Sequence, residues 1–419
     1  MNLKTALIAG ATLLVLTTTA QAAPKPLKRD AKVWAAAEAA RPEQIRLLAE
    51  ISNIDSGTGD VEGGRKVAAV LVPRLKAMGY TVENVTAEAE GLPENTVATL
   101  TGTGKGRILL IGHIDTVFGP GTVAKRPFRI EGDRARGAGL SDEKGGVVEG
   151  VMALKLLHDA GFKNFAKITF LIETSEERGS PGTRRLIDRL VHDHDVELNL
   201  EPGDAPDAIT VWRKGSATFH IDVKGKAAHA GVDPQNGRNA IVELIHQLEA
   251  VELMPHSGDG LTANLTLISG GERANIIPEA AAAQINVRVR EAGDLDKVEA
   301  ALKAGALVTK VPDTKVAITR EPSFPPLANN AGTDALAARA QALYAPLGRT
   351  LGLAGNGGAS ESALAAAAGT PALDGLGPVG GGFHSELEFM DLTTVTPRLY
   401  LLTELIMDLG ARPPKRGTP

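Results

Sequence analysis

The hydrophobic pattern changes its period part-way along the chain, and this change limits the folds that the sequence can adopt. Before residue 213, three short apolar runs are bounded by turn residues, at 107–112, 167–172 and 196–200. A helical segment near 145–160 separates the first two runs. Short buried strands that alternate with helices are typical of an α/β domain with a mostly parallel sheet. We therefore predict such a domain over residues 23–213.

Residues 214–325 follow a different pattern. The segments 216–223 and 284–290 alternate apolar and polar side chains with a period of two. This alternation is typical of half-buried antiparallel strands. Between them, 238–251 has the apolar spacing of a helix that faces a core. We therefore predict an inserted α+β domain over 214–325, after which residues 326–419 complete the α/β domain.

Charge and composition exclude several classes of function. The 419-residue chain carries 45 Lys and Arg against 50 Asp and Glu, and 3% of its residues are aromatic. This balance argues against nucleic acid as a partner. The sequence contains no cysteine, which excludes disulfides, thiolate metal ligands and a cysteine nucleophile. A metal site would therefore use His, Asp and Glu.

Residues 1–22 are predicted to be a secretory signal peptide. Lys4 supplies a positive start, an apolar stretch follows at 6–16, and Ala20-Gln21-Ala22 fits a cleavage site between small residues. The apolar stretch is shorter than a membrane span requires, which disfavours an uncleaved anchor. We therefore expect a mature chain that begins at Ala23, is exported to the periplasm or secreted, and has no membrane partner after cleavage.

Polar side chains collect where the predicted strands end. Sites in open parallel sheets form beyond the carboxyl ends of the strands, so we expect these side chains to converge. Five of them suit a divalent metal: His113, Asp142, Glu177, Glu201 and His384. Five ligands exceed the three of a single open zinc site and fit two divalent metal ions that share one bridging carboxylate.

Two further acids complete the predicted site. Asp115 follows His113 by two residues and is a candidate to orient the imidazole. Glu176 adjoins Glu177 and is a candidate general base, because neighbouring side chains at a strand end point in different directions. Each motif alone has an ordinary structural interpretation, as a core histidine, a helix start or a turn. Their coincidence at strand ends is what favours a hydrolytic metal site.

These motifs resemble those of the di-zinc co-catalytic metallopeptidase family that includes glutamate carboxypeptidase, aminoacylase, acetylornithine deacetylase and succinyl-diaminopimelate desuccinylase. The resemblance covers nearly all of the mature chain, and it is closest to the secreted bacterial glutamate carboxypeptidases. Seven ordered motifs carry it: 112–117, 142–146, 176–179, 201–202, 225–231, 275–278 and 383–384.

The resemblance implies a ligand set for two zinc ions. His113, Asp142 and Glu201 would hold one ion, and Asp142, Glu177 and His384 would hold the other, with Asp142 as the bridge. A glutamate at the position of Glu201 is typical of relatives that act on acyl amino acids or C-terminal residues. The cofactor that the resemblance implies is therefore a pair of divalent ions, with zinc as the expected metal.

The resemblance also implies roles around the metals. Asp115 would orient His113, and Glu176 would act as the general base toward a hydroxide that bridges the metals. The inserted domain would be a lid and a dimerisation surface, from which His229 would reach the partner subunit's site to stabilise the oxyanion. Asn275 and Arg288 would contact the substrate, Arg288 by gripping a carboxylate.

The chain departs from the family pattern near the substrate. Residues 357–361 read Gly-Gly-Ala-Ser-Glu, where relatives have Gly-Gly-Thr-Asp or Gly-Gly-Ser-Asp. Ala208 and Ser323 stand where glutamate-specific relatives carry basic side chains, and the nearby Trp212, Arg213 and Lys214 are no clear replacements. The bond at 142–143 is commonly cis in relatives, and the sequence leaves it open here. A strict preference for glutamate does not follow.

The sequence thus predicts a zinc-dependent carboxypeptidase that acts on small peptides or N-acyl amino acids as a homodimer. The alternative enzyme is an N-acyl amino acid deacylase of broader specificity. Two other classes predict different behaviour: an exported solute-binding protein would bind ligand without chelator-sensitive turnover, and a catalytically dead relative would lack part of the site. The complete set of ligands and base favours an enzyme, and zinc, cobalt and manganese all suit such a site.

Overall fold

The computed structural model describes residues 27–321 and 324–417, so the predicted signal peptide at 1–22 and Ser323 lie outside the described residues. The six-stranded central sheet belongs to the larger domain and runs in spatial order Thr81–Val85, Asn95–Thr101, Lys167–Glu173, Arg107–His113, Val196–Asn199 and Ala372–Leu373. The last four strands are parallel, which confirms the predicted α/β pattern. The first two pair antiparallel and extend one edge.

The central sheet is buried on both faces. Along Arg107–His113, Ile108 and Leu110 face one apolar core, whereas Leu109 and Ile111 face the other, and all four side chains are fully buried. A strand covered on both faces needs a continuous apolar run, which is the pattern that the sequence shows.

Helices supply both covering layers. Those of the first core are Ala31–Ser52, Val61–Ala77, Gly146–Asp159, Ala331–Tyr344 and Val395–Ala411. Those of the second are Arg184–His192 and Ser362–Ala367. In the described part of the chain, none of the helices has both the length and the apolar character that crossing a membrane would take.

The inserted domain is built on a four-stranded antiparallel sheet in the order Thr262–Gly270, Ala280–Val289, Gly215–Lys224 and Lys315–Arg320. All four strands fall inside the predicted segment 214–325. Helices Ala240–Glu252 and Asp294–Ala306 cover the face that carries the predicted apolar residues of both alternating strands. The other face holds Ser216 opposite Arg288, and both of these residues line the cleft described below.

Short pairings and helical turns complete the described chain. The strands are Arg129–Glu131, Arg134–Arg136, Phe389–Asp391, Gly377–Gly381 and Pro202–Gly203 in one small sheet, Ala208–Arg213 beside Gly352–Asn356, and Ala228–His229 beside Ile276–Ile277. The short turns are Thr122–Lys125, Leu140–Gly145, Glu176–Arg178, Pro234–Asn236 and Ala345–Leu347.

Candidate metal centre and active-site cleft

Loops from distant parts of the sequence meet at the carboxyl edge of the central sheet. His113 ends one strand and pairs in parallel register with Glu173, the last residue of its neighbour. Because the two strands end at the same level, the turn Glu176–Arg178 that follows the second strand lies near His113. Polar groups are therefore concentrated at the edge where open parallel sheets form their sites.

The loop that carries Asp142 reaches this edge through a close backbone approach. A Cβ atom on Gly146 would lie 1.8 Å from the backbone oxygen of Leu200, a distance that no larger residue could accept. Glycine at this position lets the start of helix Gly146–Asp159 pack directly against the end of the strand that precedes Glu201. Asp142 and Glu201 are thereby brought to the same imidazole.

Three of the predicted ligands form a buried group around His113. The Nε2 atom of His113 lies 3.3 Å from an oxygen of Asp142 and 3.6 Å from an oxygen of Glu201. His113 is 0% exposed and Glu201 is 6% exposed. We call His113, Asp142 and Glu201 the buried ligand group.

The remaining two predicted ligands complete a second group with the same aspartate. The Nε2 atom of His384 lies 3.2 Å from the other oxygen of Asp142 and 3.1 Å from an oxygen of Glu177. The His384 side chain is 54% exposed, and its backbone has a φ of 58°. We call Asp142, Glu177 and His384 the exposed ligand group.

The atoms of both groups suit two divalent cations. Within each group one donor atom from every residue lies within 4.8 Å of the others. Nε2 of His113 and Oε1 of Glu177 are buried, and neither has a hydrogen-bond partner of acceptable geometry among the described residues. Such buried atoms without partners are costly unless something else satisfies them. Imidazole nitrogen and carboxylate oxygen are ligands for zinc and similar metals, so the residues fit a dinuclear site.

The electrostatics of the cluster also favour cations. Burial raises the pKa of Glu201 to about 7 and raises the pKa of Glu177. Hydrogen bonding to Asp142, followed by that to Glu177, raises the pKa of His384 to about 10. Burial opposes the protonation of His113, yet the surrounding carboxylates raise its pKa well above the ordinary value. Carboxylates packed this closely repel one another when ionised, and bound cations would relieve that repulsion.

Asp115 connects the imidazole to the turn that carries the second acid pair. Nδ1 of His113 lies 3.0 Å from the Asp115 backbone oxygen and 3.4 Å from its carboxylate. A proton on Nδ1 leaves Nε2 free to bind a metal. The carboxylate of Asp115 also accepts hydrogen bonds from the Thr58 hydroxyl at 2.7 Å and from the backbone N–H groups of Glu176 and Glu177 at 3.1 and 3.3 Å.

Glu176 lies beside both ligand groups without belonging to either. Its carboxylate is 3.9 Å from Nε2 of His113, and it lines the cleft together with Glu177. Burial, followed by the negative charge of Glu361, raises the pKa of Glu176 well above the ordinary glutamate value. A carboxylate with a raised pKa can hold a proton near neutral pH, as a general base must after it has taken one.

The cleft has a cavity volume of about 360 Å³, and residues of both domains line it. Arg288 reaches it from the inserted sheet, where its Nε donates to Asn286 at 2.9 Å. Burial lowers the pKa of Arg288. His229 and Asn275, in contrast, are exposed: His229 belongs to the short strand Ala228–His229, Asn275 directly precedes the paired strand Ile276–Ile277, and neither lines this cleft.

The structure also reveals supporting residues to which sequence reasoning assigned no role. Arg213 holds Asp374 through hydrogen bonds of 2.8 and 2.6 Å and also donates to Glu201 at 3.3 Å. The sequence offered only its place beside the basic Lys214 as a signal. Glu143 accepts the backbone N–H of His113 at 3.1 Å. The Asp142–Glu143 peptide bond is cis.

Glu388 is a further supporting residue, and it joins two ligand-bearing loops. Its carboxylate accepts backbone N–H groups from Gly139 at 2.7 Å, Ser141 at 2.9 Å and Asp142 at 3.2 Å. Burial raises its pKa to about 7. Because Glu388 lies four residues after His384, it links the loop of His384 to the loop of Asp142. No sequence motif distinguished it from a surface glutamate.

The fold and the paired ligand groups define a dinuclear metal-dependent hydrolase. Comparison with known proteins gives the same class: residues 109–408 match the family described as Peptidase family M20/M25/M40. This match spans more than half of the chain, and the protein therefore belongs to Peptidase family M20/M25/M40. The predicted family is thereby confirmed, and the protein is a hydrolytic enzyme.

Individual relatives agree with this assignment. Carboxypeptidase G2 of Pseudomonas sp. (strain RS-16) is 37% identical over 392 residues, which cover 92% of this chain and 93% of that protein. Succinyl-diaminopimelate desuccinylase of Paracoccus denitrificans (strain Pd 1222) is 30% identical over 298 residues, covering 66% of this chain and 74% of that protein. A solved M20 family metallo-carboxypeptidase from Sulfolobus solfataricus shares the fold, with a TM-score of 0.72, 17% identity, and coverage of 88% and 99%.

Proposed function

We propose that the protein is a zinc-dependent carboxypeptidase that hydrolyses the amide bond to the C-terminal amino acid of a small peptide. One observation carries this proposal: the two ligand groups that share Asp142, the unligated Glu176 and the cationic Arg288 all border one cleft. Zinc is the proposed metal because histidine and carboxylate ligands in a buried site suit it. The similarity to carboxypeptidase G2 supports the same activity.

When bound, two divalent cations polarise the scissile carbonyl and lower the pKa of the attacking water. Glu176 accepts the proton of that water and delivers it to the leaving amine, and its raised pKa suits both steps. Asp115 holds the backbone of Glu176 and thereby keeps the base beside the ligand groups. Asp115 thus acts on the reaction through the position of other groups.

Arg288 gives the cleft its exopeptidase character. Its guanidinium end faces the cleft, and a free α-carboxylate of the substrate would pair with it in a bidentate manner. A substrate with more than one residue after the scissile bond lacks this carboxylate at that position and leaves a half-buried cation without a partner. We therefore assign Arg288 to the terminal carboxylate.

The second candidate is an N-acyl amino acid deacylase. The identity with succinyl-diaminopimelate desuccinylase favours it, and Arg288 would serve an N-acyl amino acid equally well, since both substrate classes end in a free carboxylate. A panel of N-acyl amino acids and acylated dipeptides with the same terminal residue separates the two. Higher kcat/KM on the dipeptides supports the carboxypeptidase, and the reverse order supports the deacylase.

The first test of this proposal is the substitution Glu176→Gln. We expect kcat to fall by roughly 10²- to 10⁴-fold while the metal content stays that of the wild type, because the ligands are untouched. The exposed Glu83 of the strand Thr81–Val85 provides a matched control, and Glu83→Gln should retain full activity. Near wild-type turnover of Glu176→Gln with metal retained would reject the assigned base.

We also propose that the protein works as a homodimer through the inserted domain. Thr262–Gly270 is an edge strand of the inserted sheet, and its Leu265, Leu267 and Ile268 are 38%, 59% and 58% exposed. Val242 and Ile245 on helix Ala240–Glu252 are also exposed, at 39% and 55%. An exposed edge strand with an apolar surface invites pairing with a second copy.

A dimer would also give His229 and Asn275 a function, because both lie outside the cleft of their own chain. Light scattering of the wild type and of Leu267→Glu tests the interface, with the exposed Leu353→Glu of the larger domain as the matched control. We expect only Leu267→Glu to give monomers. Mixing inactive His229→Ala with inactive Glu176→Gln should restore activity if His229 acts across the dimer, and no recovery would contradict that role.

We further propose that residues 1–22 direct export to the periplasm or medium. The charged start, the apolar stretch and the small residues at 20–22 support this proposal. Expression of the full chain in a bacterial host should yield a periplasmic protein whose mass corresponds to a start at Ala23. A variant with Ala20→Lys should remain unprocessed, whereas a cytoplasmic, full-length wild type would refute export.

A further inference from the structure

The basic side chains around the cleft differ in whether they are available to a substrate. This difference bears on which terminal amino acid the enzyme releases, and the inference below therefore rests on the proposed carboxypeptidase function. Arg213 and Arg288 are the two arginines among the described lining residues. Only one of them has a guanidinium end that is not already engaged with other parts of the protein.

Arg213 is committed to the protein itself. It is 4% exposed, and its Nε and Nη2 atoms donate hydrogen bonds to the two carboxylate oxygens of Asp374 at 2.8 and 2.6 Å. The Nη2 atom also lies 3.3 Å from Glu201, and Nη1 donates to Asn356 at 3.3 Å. Although burial opposes it, the charges of Asp374 and Glu201 raise the pKa of Arg213. Two acids thus neutralise a cation that a substrate would otherwise use.

Arg288 is in a different state. Its Nε donates to the neutral Asn286, and no carboxylate lies within ion-pairing distance of its guanidinium among the described residues. It is therefore free to bind one carboxylate, and the proposed function gives that place to the terminal α-carboxylate of the substrate.

Other basic groups near this wall are also engaged. Lys214 donates to the backbone oxygen of Gly258, and Arg290 lies over the ring of Trp212 at 3.5 Å and donates to Asn329. Arg184 donates to the backbone oxygen of Gly179 at 2.8 Å and lies over the ring of Phe324. None of these basic side chains lines the cleft among the described residues.

The rest of the described lining contains no further arginine and no lysine. Phe324, Ala359 and Phe383 contribute apolar surface, and Asp204 adds a carboxylate that belongs to neither ligand group. Ala208 is neutral and 5% exposed. A second carboxylate on the substrate would therefore lose its hydration in a cleft where Arg288 already pairs with the α-carboxylate and Arg213 is engaged with the protein.

We propose that the cleft accepts substrates with a single carboxylate, so that the enzyme releases terminal amino acids with uncharged side chains and discriminates against glutamate and aspartate. Arg288 binds the α-carboxylate of the substrate, and Asp374 and Glu201 prevent Arg213 from pairing with a second one. The apolar part of the cleft wall contacts the side chain of the terminal residue. The penalty for a glutamate side chain is the loss of its hydration without a counter-charge.

The decisive comparison uses two terminal residues of equal shape. The kcat/KM of the metal-loaded mature enzyme is measured on N-acetyl-Ala-Gln and N-acetyl-Ala-Glu, with N-acetyl-Ala-Met as an apolar substrate of similar size. We expect the Gln and Met substrates to exceed the Glu substrate by about tenfold or more. Equal or better hydrolysis of the Glu substrate overturns the inference and leaves the carboxypeptidase standing. If none of the three is hydrolysed, the proposed function fails and the inference fails with it.

A gain-of-charge variant tests the physical cause. Ala359→Lys places a cation on the cleft wall, and Leu353→Lys places the same charge on an exposed strand position outside the lining. We expect the ratio of Glu to Gln hydrolysis to rise about fivefold or more in Ala359→Lys and to stay unchanged in Leu353→Lys. An equal change in both variants, or no change in Ala359→Lys, contradicts the charge argument.

Binding provides a readout that does not depend on turnover or on the folding of the lysine variants. Calorimetry on Glu176→Gln measures the Kd of the same two substrates without cleavage. We expect the Glu substrate to bind about tenfold more weakly than the Gln substrate. Equal affinities, or tighter binding of the Glu substrate, overturn the proposal.

Discussion

The two ligand groups share Asp142 but differ in their surroundings. In the buried group, His113 and Glu201 are 0% and 6% exposed. Glu143 accepts a hydrogen bond from the backbone of His113, and Arg213 donates one to Glu201. In the exposed group, the His384 side chain is 54% exposed on a loop with a left-handed φ of 58°. The same ligand chemistry is thus placed in a buried setting and in a solvent-exposed one.

This difference has a consequence for the two metals. Ligands that packing and hydrogen bonds hold in place lose less freedom on binding, and water reaches them less easily. We therefore expect the metal of the buried group to be retained and that of the exposed group to exchange first.

Removal of the shared ligand should affect both groups at once. Asp142→Ala takes one oxygen from each group, so we expect both metals to be lost and kcat to fall by at least about three orders of magnitude. Metal analysis after dialysis, combined with circular dichroism as a folding control, checks this result. Retention of both metals in a folded Asp142→Ala protein would show that the groups do not share this residue.

Single histidine substitutions should separate the two groups. We expect His384→Ala to keep about one metal ion per chain, whereas His113→Ala should lose the tightly held ion and bind what remains weakly. Both variants should be inactive, so metal content and the rate of chelator-driven release are the informative measurements. Equal retention and equal release in the two variants would remove the distinction between the groups.

A supporting residue of the buried group should matter less than a ligand. Arg213→Met leaves Asp374 and Glu201 without their cation, and we expect the affinity for the buried-group metal to fall by roughly 10- to 100-fold. Arg288→Met is the matched control, since Arg288 lines the same cleft without touching a ligand; it should lose activity and keep its metals. Unchanged metal affinity in Arg213→Met would indicate that Arg213 has no part in holding Glu201.

A buried histidine outside the site, His194, should affect the pH dependence of stability and leave the metal site unchanged. The ring of His194 lies 2.7 Å from the Leu190 backbone oxygen and 2.9 Å from the Thr169 hydroxyl. Burial lowers its pKa from 6.5 to about 4. As the pH falls below 6.5, the imidazole of His194 binds a proton in the unfolded chain but stays neutral in the folded chain. The stability contribution is therefore complete above 6.5 and is lost toward pH 4, a change of about 3 kcal/mol.

Denaturant unfolding at several pH values checks this prediction. His194→Gln should reduce the slope of the unfolding free energy between pH 6.5 and 4 while leaving metal binding and activity intact, because His194 belongs to neither ligand group. A slope identical to that of the wild type would mean that His194 keeps an ordinary pKa in the folded protein.

Much of the fold could be predicted because the number of covered faces of a strand determines the apolar pattern in its sequence. The continuous apolar run at 108–111 and the alternation at 216–223 each follow directly from how many faces of a strand are covered. The two antiparallel strands of the central sheet, Thr81–Val85 and Asn95–Thr101, were not predicted. Thr81–Val85 is exposed to half-exposed along its whole length, so no apolar pattern distinguishes it from a loop.

The metal ligands could be proposed from their positions after strands, but their support could not. Arg213 and Asp374 are 161 positions apart in sequence, and no local pattern indicates that they form an ion pair. Glu388 likewise resembles any polar loop residue until the loop at 139–142 is placed against it. Whether His229 and Asn275 serve a neighbouring subunit also remains a prediction.

Composition limits the metal ligands of this chain to imidazoles and carboxylates, because it has no thiolates, and apolar periodicity locates the strands whose ends carry them. Folding then places Asp142 against both histidines, pairs Arg213 with acids and leaves Arg288 without a carboxylate partner. Hydrophobic periodicity is a local property of the chain, whereas the pairing of charges depends on distances between residues that are remote in sequence.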